Sequence, residues 1–399
     1  MSGESFRFLH AGDFHLEKPL GDVDGLPASM RPAAISAPRD AAAAVFEAAT
    51  AANIDFVVLS GDLLSPSAAG PHGMSLVLDG LERLHQLDKP VFWATGIQDD
   101  SAKWPEAVPL PPNVRLFAKT DAESFPVVRS GRTIATVSGR SSDGQTSLRP
   151  SSISVEPTDH FAVAVGYGTV DAAALQSTRF DHWCLGGRAA AETLDIAGES
   201  TAAYCGSPQS RGFADGGPHG YTIVDVDADR TRRVTEIACD TFRYADCHLH
   251  AAEVASVGSL KNLLSRRLNA AQNEADGRHL ILRFNVQIDA GEDLSLVTAI
   301  ESTLQSLRRD HGGGNPATWT AAIDVTPPRA YPSSWRDEDT ILGDFLRVAA
   351  GATTPDLAAV AESHPLPANV AGRLTTPTGD YTADAALMGV RLLRGESAA

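Results

Sequence analysis

The stretches FRFLHAGDFHL (residues 6–16) and DFVVLSGDLL (residues 55–64) share one plan, a short apolar run followed at once by a polar loop. Short apolar runs bounded by Gly and Asp are typical of buried β-strands. Between them, RDAAAAVFEAATAAN (residues 39–53) has apolar residues at the spacing of an amphipathic helix. The order strand, helix, strand predicts two parallel strands of one sheet.

The same unit repeats further along the chain. MSLVLDGLERLHQL (residues 74–87) predicts a second helix, and PVFWATG (residues 90–96) predicts a third strand. In such a sheet, functional residues are expected in the loops at the carboxyl ends of the strands. From about residue 125 to 245, strand-like runs predict a second sheet packed on the first: TIATVSG, HFAVAVGYG, DHWCLGG and GYTIVDVD.

The C-terminal part has a different pattern. Residues 246–330 contain the strand HLILRFNVQI, the helix LSLVTAIESTLQSLRR, the turn HGGGNP and the strand WTAAIDV. Residues 331–399 are rich in Pro and Ala and carry two short helical patterns. We therefore predict a main α/β domain at 1–245, a small α/β domain at 246–330 and a C-terminal segment.

Composition limits the classes of function. With 43% hydrophobic and 21% charged residues, the chain is typical of a soluble globular protein, and no apolar stretch is long enough to span a membrane. The formal net charge is −17, and no basic run is longer than pairs such as Arg266–Arg267 and Arg308–Arg309. This charge counts against an autonomous nucleic-acid binder, because such proteins usually neutralise phosphates with a basic surface.

Cysteine usage and the N-terminus bear on the compartment. The 4 cysteines are widely spaced and form no CxxC pair, which argues against a zinc ribbon or a disulfide framework. The N-terminal residues lack the basic start and apolar segment of a secretion signal. We therefore expect a cytoplasmic protein.

Polar residues follow two of the predicted strands. Asp13 and His15 form a D-x-H motif after the first strand, and Asp62 follows the second. In an extended segment, residues two apart point to the same side, so Asp13 and His15 are expected to reach one ion. Carboxylate and imidazole donors suit Mn²⁺, Fe²⁺ or Zn²⁺. A single Asp at a strand end is more often a helix cap or turn former, so the prediction depends on the three residues together.

Several ordered motifs carry a family resemblance. FLHAGDFHLEKPL and DFVVLSGDLL resemble the first two motifs of the calcineurin-like metallophosphoesterases, and within them those of the SbcD-type DNA double-strand-break repair exonucleases. YCGSPQSRGFADGGPHGYTIVDVD (residues 204–227) is similar to the segment that closes the family's catalytic domain. The resemblance covers residues 5 to 245 and implies an α/β fold, a calcineurin-like four-layer α-β-β-α sandwich with a small α/β capping domain.

The resemblance also implies which residues hold metal. It assigns Asp13 and His15 to a first metal and Asp62 to the carboxylate that bridges two metals. The third motif, GNHD in the family, is GIQD here. Gln98 therefore stands at the position of the catalytic histidine, and Ile97 stands at the position of an amide ligand.

The later motifs depart from the family pattern in the same way. The histidine of the fourth motif corresponds to Tyr167 in VGYGTV. WCLGG (residues 183–187) stands where the family usually has its paired histidines, and Gly186-Gly187-Arg188-Ala189 contains neither of them.

These departures limit the expected metal site. The first metal keeps Asp13, His15 and Asp62, and the second keeps Asp62 alone. Such a set provides at most one weak, water-rich site for Mn²⁺ or another divalent metal, and a site that binds no metal is the alternative. A non-catalytic or weakly active protein is expected, because general acid–base assistance alone is worth about 10²- to 10⁴-fold in rate. The alternative is an active Mn²⁺-dependent phosphodiesterase or DNA exonuclease that recruits other ligands.

The resemblance further implies partners. In the family, the capping domain lies over the DNA-binding face, the protein often dimerises, and C-terminal helices dock on an SMC-like coiled-coil ATPase. We therefore expect a subunit of a DNA-repair-type complex, with that ATPase, a second copy of the chain and DNA as partners and no membrane.

Other polar residues have a structural interpretation beside a functional one. Arg188 is expected to be a surface arginine rather than a phosphate clamp in place of a metal. Four cysteine and histidine residues near the small domain do not have the sequence spacing of a zinc site. They are expected in a strand or linker instead: Cys239, Cys247, His248 and His250. His10 is expected in a core strand, His219 in a turn and Gly312–Gly314 in a loop.

Overall fold

The structure is a computed structural model of the chain. It describes residues 4–51, 53–154, 158–176, 178–196, 200–250, 257–287, 299–326 and 333–350, together with 386, 388–390, 392 and 393. The chain divides into two compact units. The first comprises Met1–Asp246, Leu268–Leu282 and Leu307–Ala321, and the second comprises Cys247–Arg267, Arg283–Ser306 and Ala322–Ala399. The division into three domains stays a prediction.

Six strands form the first sheet of the first unit: β1 Phe6–Ala11, β2 Phe56–Leu59, β3 Val91–Trp93, β4 Val114–Leu116, β11 Gly220–Val226 and β12 Arg232–Ala238. Their order is β12-β11-β1-β2-β3-β4. Strands β1 to β3 run parallel as predicted, and β4, which was not predicted, continues them in parallel. The prediction that GYTIVDVD belongs to the second sheet is wrong. It forms β11 and pairs antiparallel with β1, whose outer edge would otherwise be left without a partner.

Six more strands form the second sheet: β5 Glu123–Arg129, β6 Arg132–Gly139, β7 Phe161–Tyr167, β8 His182–Gly186, β9 Glu192–Leu194 and β10 Thr201–Tyr204. Their order is β5-β6-β7-β8-β10-β9. The four central strands are parallel, and both edge strands pair antiparallel with their neighbours. The carboxyl ends of the central strands therefore share one edge, where loops can bring side chains together.

The two sheets pack face to face through an apolar layer. Phe8 and Phe56 of the first sheet share one buried cluster with Val163 and Cys184 of the second. The Phe8 and Phe56 rings are stacked with their centroids 4.7 Å apart. Burial of large aromatic side chains on both sides of this layer supplies a major part of the core.

Helices and loops cover the outer faces of the sandwich. Helices α1 (Arg31–Ala51) and α2 (Gly70–Gln86) pack on the first sheet. The one-turn helix α3 (Ala172–Leu175) and loops cover the second sheet, so the predicted α-β-β-α sandwich is confirmed, with a thin fourth layer. Helix α1 begins at Arg31, earlier than the predicted start at Arg39. Pro38 lies inside the helix, although a proline usually marks a helix boundary.

Apart from short 3-10 helices, the chain continues with β13 Phe242–His250, α4 Val257–Glu274, β14 His279–Gln287, α5 Ile300–His311, β15 Thr318–Thr326 and α6 Ile341–Ala349. The three strands form a sheet of order β13-β14-β15. Cys247 and His248 lie within β13, as expected for a strand rather than a zinc site. In the described part of the chain, no helix is both long enough and apolar enough to cross a bilayer.

Two fully buried histidines lie on strands of the two facing sheets. His10 Nε2 on β1 is 2.9 Å from Ser60 Oγ, and His182 Nδ1 on β8 is 2.7 Å from Thr201 Oγ1. Burial lowers the pKa of each ring to about 3, so both histidines are neutral near pH 7. The prediction that His10 is a core residue is confirmed.

We predict that His182→Gln makes folding less sensitive to acid. An unfolded histidine takes up a proton near its ordinary pKa of about 6.5, whereas folded His182 stays neutral until the pH approaches about 3. The wild type therefore loses up to about 1.4 kcal/mol of unfolding free energy per pH unit at this site as the pH falls below about 6.5. Urea denaturation at several pH values between about 7 and 5 measures this loss. Equal pH slopes for the two proteins would contradict the prediction.

Candidate metal site

Loops from both sheets meet at the shared carboxyl edge of the strands. Asp13 follows β1 and Asp62 follows β2, while Tyr167 ends β7 and Gly187 follows β8. The amide of Gly187 donates to Asp13 Oδ2 at 2.8 Å, and the hydroxyl of Tyr167 donates to Asp62 Oδ2 at 2.6 Å. The expectation that polar residues gather at the strand ends is confirmed, and the second sheet contributes as much as the first.

Asp13, His15 and Asp62 all have left-handed backbone conformations, with φ of 53°, 45° and 53°. The expectation of an extended D-x-H segment is therefore wrong. The two loops bond to each other instead, with Asp13 N 2.8 Å from Gly61 O and His15 N 2.9 Å from Asp62 O. A left-handed non-glycine residue costs about 1 to 3 kcal/mol, and such strain is concentrated at functional sites.

The side-chain donors of these three residues converge without bonding to each other. His15 Nε2 lies 3.9 Å from Asp13 Oδ1 and 3.8 Å from Asp62 Oδ2, which is too far for hydrogen bonds. The donor atoms of the three residues lie within 4.8 Å of one another. Ligands that sit about 2.0 to 2.2 Å from a common ion are separated by at most about 4.4 Å, so a side-chain shift of a few tenths of an ångström brings all three donors within reach of one ion. The donor set therefore fits one divalent ion.

A fourth side chain lies behind the imidazole of His15. His15 Nδ1 is 3.4 Å from Glu17 Oε1, and neither atom has a hydrogen-bond partner among the described residues. The other oxygen of Glu17 accepts a hydrogen bond from Ser65 N at 2.9 Å. A carboxylate behind a histidine is the usual arrangement that orients the ring of a metal ligand, and Glu17 is placed for this role.

The site is rich in negative charge. Asp13 is buried, and burial, followed by the nearby charges of Asp62 and Asp99, raises the pKa of Asp13 well above its ordinary value. The amide of Gly187 acts in the opposite direction. A cation beside Asp13 would favour its ionised form, so the electrostatics also fit a bound metal.

Tyr167 occupies the side of Asp62 that faces the second sheet. Its ring lies so close to Gly61 and Gly96 that a Cβ atom at these positions would be 2.9 and 2.7 Å from ring carbons. Burial, and then its bond to Asp62, raise the pKa of Tyr167, so the phenol stays a proton donor. Together with the amide of Gln98, which donates to Asp62 Oδ1 at 2.7 Å, Tyr167 satisfies both oxygens of Asp62. Ile97 is half-buried.

Asp99, which the motif comparison did not single out, organises the Asp62 loop. Its carboxylate accepts hydrogen bonds from three amides and one indole, at distances of 2.6 to 3.2 Å: Asp62 N, Leu63 N, Gly96 N and Trp93 Nε1. Burial and the charge of Asp62 raise the pKa of Asp99 to about 7, against the effect of the amides. The aspartate that ends GIQD was the available sequence signal.

Arg211 is a second residue that sequence reasoning missed. Its guanidinium donates to the carbonyls of Phe14 and His15 and, at 2.9 Å, to that of Gln209. These hydrogen bonds hold in place the loop that carries His15. Arg211 lies inside YCGSPQSRGF, so the family-like segment carried the signal, although the motif itself gives no reason for an arginine there.

The other candidates have structural surroundings. Arg188 forms an ion pair with Glu192 and stacks over the Tyr204 ring at 4.3 Å. Its guanidinium therefore already has partners and does not take the place of a metal. His219 is buried in its turn, with its ring nitrogens beside the carbonyls of Ser207 and Asp215. Within the described ranges, the group of three or more metal-binding side chains is the one at Asp13.

Comparison with known proteins agrees with this geometry. No family model matches the sequence. The chain is 24% identical over 238 residues to a Bacillus subtilis (strain 168) protein named "Uncharacterized metallophosphoesterase YhaO". This similarity supports the metallophosphoesterase superfamily. It covers 55% of this chain, and the chain spans 57% of the length of that relative.

A solved structure is also similar. The crystal structure of TT1561 of Thermus thermophilus matches 58% of this chain and 99% of its own, with 12% identity and a TM-score of 0.35. Metallophosphoesterases use divalent metals, and in this chain Asp13, His15 and Asp62 form the cluster that can hold one.

We predict that Asp99→Asn strongly destabilises the fold. An amide side chain offers one acceptor oxygen where the carboxylate offers two, and its NH₂ group would face the amide donors. Each oxygen of Asp99 accepts two hydrogen bonds, and lost bonds to a charged acceptor are worth about 1.5 to 3 kcal/mol each. Removal of the buried charge offsets part of this loss, so a decrease of about 2 to 4 kcal/mol in unfolding free energy is expected. Urea denaturation measures it. Asp100→Asn is the control, since Asp100 is only partly buried and its ion pair with Lys119 should contribute less than about 1 kcal/mol. Equal effects of the two variants would contradict the prediction.

We predict that Gly186→Ala disturbs the contact between the sheets at the site. A Cβ atom at Gly186 would lie 1.9 Å from the carbonyl oxygen of Ser60, which is backbone and cannot rotate away. Overpacking typically costs about 1 to 3 kcal/mol, measured as a lower denaturation midpoint. Gly313→Ala is the matched control because a Cβ atom there meets nothing within 4 Å. A Gly186→Ala protein as stable as this control would show that the contact is not tight.

Proposed function

We propose that this chain is a metallophosphoesterase-superfamily protein that binds at most one divalent cation and has lost efficient two-metal phosphodiester hydrolysis. The observation that carries the proposal is the bond of 2.6 Å from the Tyr167 hydroxyl to Asp62 Oδ2. By the motif correspondence, Tyr167 takes the place of a histidine that would serve the second metal. A phenol that donates to the bridging carboxylate competes with a cation on that side.

The support for one cation comes from the donors that remain. Asp13, His15 and Asp62 are held by bonds between their loops, with the imidazole nitrogen facing both carboxylates. The lone pairs of the Asp13 oxygens are already partly used, since Gly187 N contacts both oxygens at 2.8 and 3.1 Å. A weak site for Mn²⁺ or another divalent ion follows, because carboxylate oxygens can accept more than one partner.

The support against hydrolysis comes from the catalytic positions. Two-metal enzymes place ions on both the attacking and the leaving oxygens of the phosphodiester. Here Gln98 stands at the position of the proton donor and contributes its backbone amide to Asp62. Gly187, where the paired histidines would begin, contributes a backbone amide to Asp13. A single bound cation would supply Lewis-acid charge stabilisation, but the proton donor and the second positive charge are missing.

We further propose a non-catalytic subunit role in a DNA-repair-type complex. The motif resemblance to SbcD-type exonucleases supports this role, and the net charge of −17 favours a chain that reaches DNA through partners. The expected partners are an SMC-like coiled-coil ATPase and a second copy of the chain. Co-expression with such an ATPase followed by affinity purification tests this role, and failure to co-purify would count against it.

The second candidate is an active Mn²⁺-dependent phosphodiesterase or DNA exonuclease. Its support is the strained backbone at Asp13, His15 and Asp62, which is the kind of strain found at working sites. Glu17 behind His15 also matches the supporting shell of a metal ligand.

Calorimetric titration with Mn²⁺ separates the two functions. We expect at most one equivalent to bind, and His15→Ala to weaken binding at least about tenfold, because changes in the groups that merely support a ligand already cost about 10- to 100-fold. His72→Ala is the matched control, since His72 is exposed on helix α2. We expect no turnover of a generic phosphodiester or of single- and double-stranded DNA above the His15→Ala background.

Two bound equivalents of Mn²⁺, together with turnover that Asp62→Asn abolishes, would overturn the proposed function and establish the active enzyme. Loss of binding in His72→Ala as well as in His15→Ala would show that the Mn²⁺ is bound non-specifically. Circular dichroism of each variant checks that the loss of binding is not a loss of fold.

A further inference from the structure

A polar cleft lies beside Tyr167. Its volume is about 560 Å³, and apart from Tyr167 it is lined by the loop that follows β6, residues 140–152. We call it the 140–152 cleft. Asp13, His15 and Asp62 are not among its lining residues, so it is separate from the candidate metal site. Ligand pockets for small molecules span about 300 to 1,000 Å³, and this cleft has such a size.

The charges that line the cleft leave one cation available. Arg140 donates to Asp143 at 3.2 Å and to the carbonyl of Lys119 at 2.6 Å, so this arginine and the acidic residue of the cleft are paired. Arg149 is exposed, and no ion pair or hydrogen bond of its guanidinium occurs among the described residues. In a chain of net charge −17, an arginine left without a carboxylate partner inside a cleft favours an anionic ligand.

Hydroxyl groups line the same cleft as Arg149. The lining includes five serines: Ser141, Ser142, Ser147, Ser151 and Ser152. Ser141 and Ser152 already donate to backbone carbonyls, at 2.6 and 2.7 Å. The hydroxyls of Ser147 and Ser151 make no hydrogen bond within the described part of the chain, so both can donate to a ligand. One guanidinium with several hydroxyl donors is the chemistry that recognises phosphate oxygens.

The walls of the cleft are fixed by the fold. The loop is bonded to the end of β7 by Leu148 N to Thr169 O at 2.9 Å and by Thr169 N to Thr146 O at 2.8 Å. Gly168, with φ of 119°, lets the loop approach, since a Cβ atom there would lie 2.9 Å from Leu148 N. A site whose backbone is held in place loses little entropy when a ligand binds.

We propose that the 140–152 cleft binds a phosphate group, either free or as the ester of a small molecule of nucleotide size. Arg149 contacts the anion through its guanidinium, and Ser147 and Ser151 donate hydroxyl hydrogen bonds to it. This site goes beyond the proposed function and does not depend on it, because no metal ligand takes part.

Calorimetry in the presence of a chelator tests the site without any metal. Inorganic phosphate and adenosine 5′-monophosphate are titrated separately into the chain of residues 1–399. Arg149→Gln is expected to weaken binding of both at least about tenfold, because the charge-assisted bonds of the guanidinium are lost. Arg149→Lys keeps the charge and loses the bidentate geometry, so it is expected to lie between the wild type and Arg149→Gln.

Arg179→Gln is the matched control. Arg179 is exposed, lies in the loop before β8 at the opposite edge of the second sheet and does not line the cleft. It should bind phosphate as the wild type does, and the chelator keeps metal out of both titrations. Failure of the metal proposal would therefore leave this result unchanged. Tighter binding of the nucleotide than of phosphate would assign the site to the ester, and equal binding would assign it to the free anion.

Three results would overturn the proposal. The first is no binding of either probe by the wild type at millimolar concentration. The second is an equal loss in Arg149→Gln and Arg179→Gln, which would indicate diffuse charge attraction rather than a site. The third is binding of single-stranded DNA without binding of either small probe. A double variant, Ser147→Ala with Ser151→Ala, keeps the test open should Arg149→Gln fail to fold.

Discussion

Bonds between the loops at the shared strand edge hold the site together, and most of its other properties follow from how close these loops lie. Asp13 N and His15 N bond to the carbonyls of the Asp62 loop. Gly186 lies so near Ser60 that no larger side chain fits between the sheets there. The carboxylates are therefore buried in fixed positions, and Tyr167 is the large side chain that reaches them from the second sheet.

Burial makes negative charge costly at this edge, and each carboxylate is compensated differently. Asp99 is surrounded by three amides and an indole. Asp62 accepts from the Tyr167 hydroxyl and from an amide, one donor on each oxygen. Asp13 has the single amide of Gly187 and a strongly raised pKa. The negative charge of Asp13 is therefore the least compensated of the three. Asp13 lies beside the imidazole of His15, and a cation bound there would stabilise the protein most.

The sequence predicted the parts of this arrangement that depend on local pattern. Apolar runs followed by Asp gave the parallel strands, and the strand ends gave Asp13, His15 and Asp62 as neighbours. The sheet to which GYTIVDVD belongs was harder to predict, because its alternation of apolar and polar residues fits either sheet. Only the free edge of β1 determines that this strand joins the first sheet. The left-handed conformation of Asp13 and His15 could not be predicted, since it arises from bonds to a loop about fifty residues away. The role of Asp99 depends on donors from three separate segments, which no local pattern reveals.

The replacement of a histidine by Tyr167 changes the chemistry of Asp62 rather than merely deleting a ligand. A neutral histidine would leave the charge of Asp62 to a metal, whereas the phenol offers a proton that remains on its oxygen, because the pKa of Tyr167 is raised. With both oxygens satisfied by donors, Asp62 no longer requires a metal for its burial. Tyr167 also lines the 140–152 cleft. Tyr167 therefore contacts both an acidic cluster that favours one cation and an arginine-bearing cleft that favours an anion.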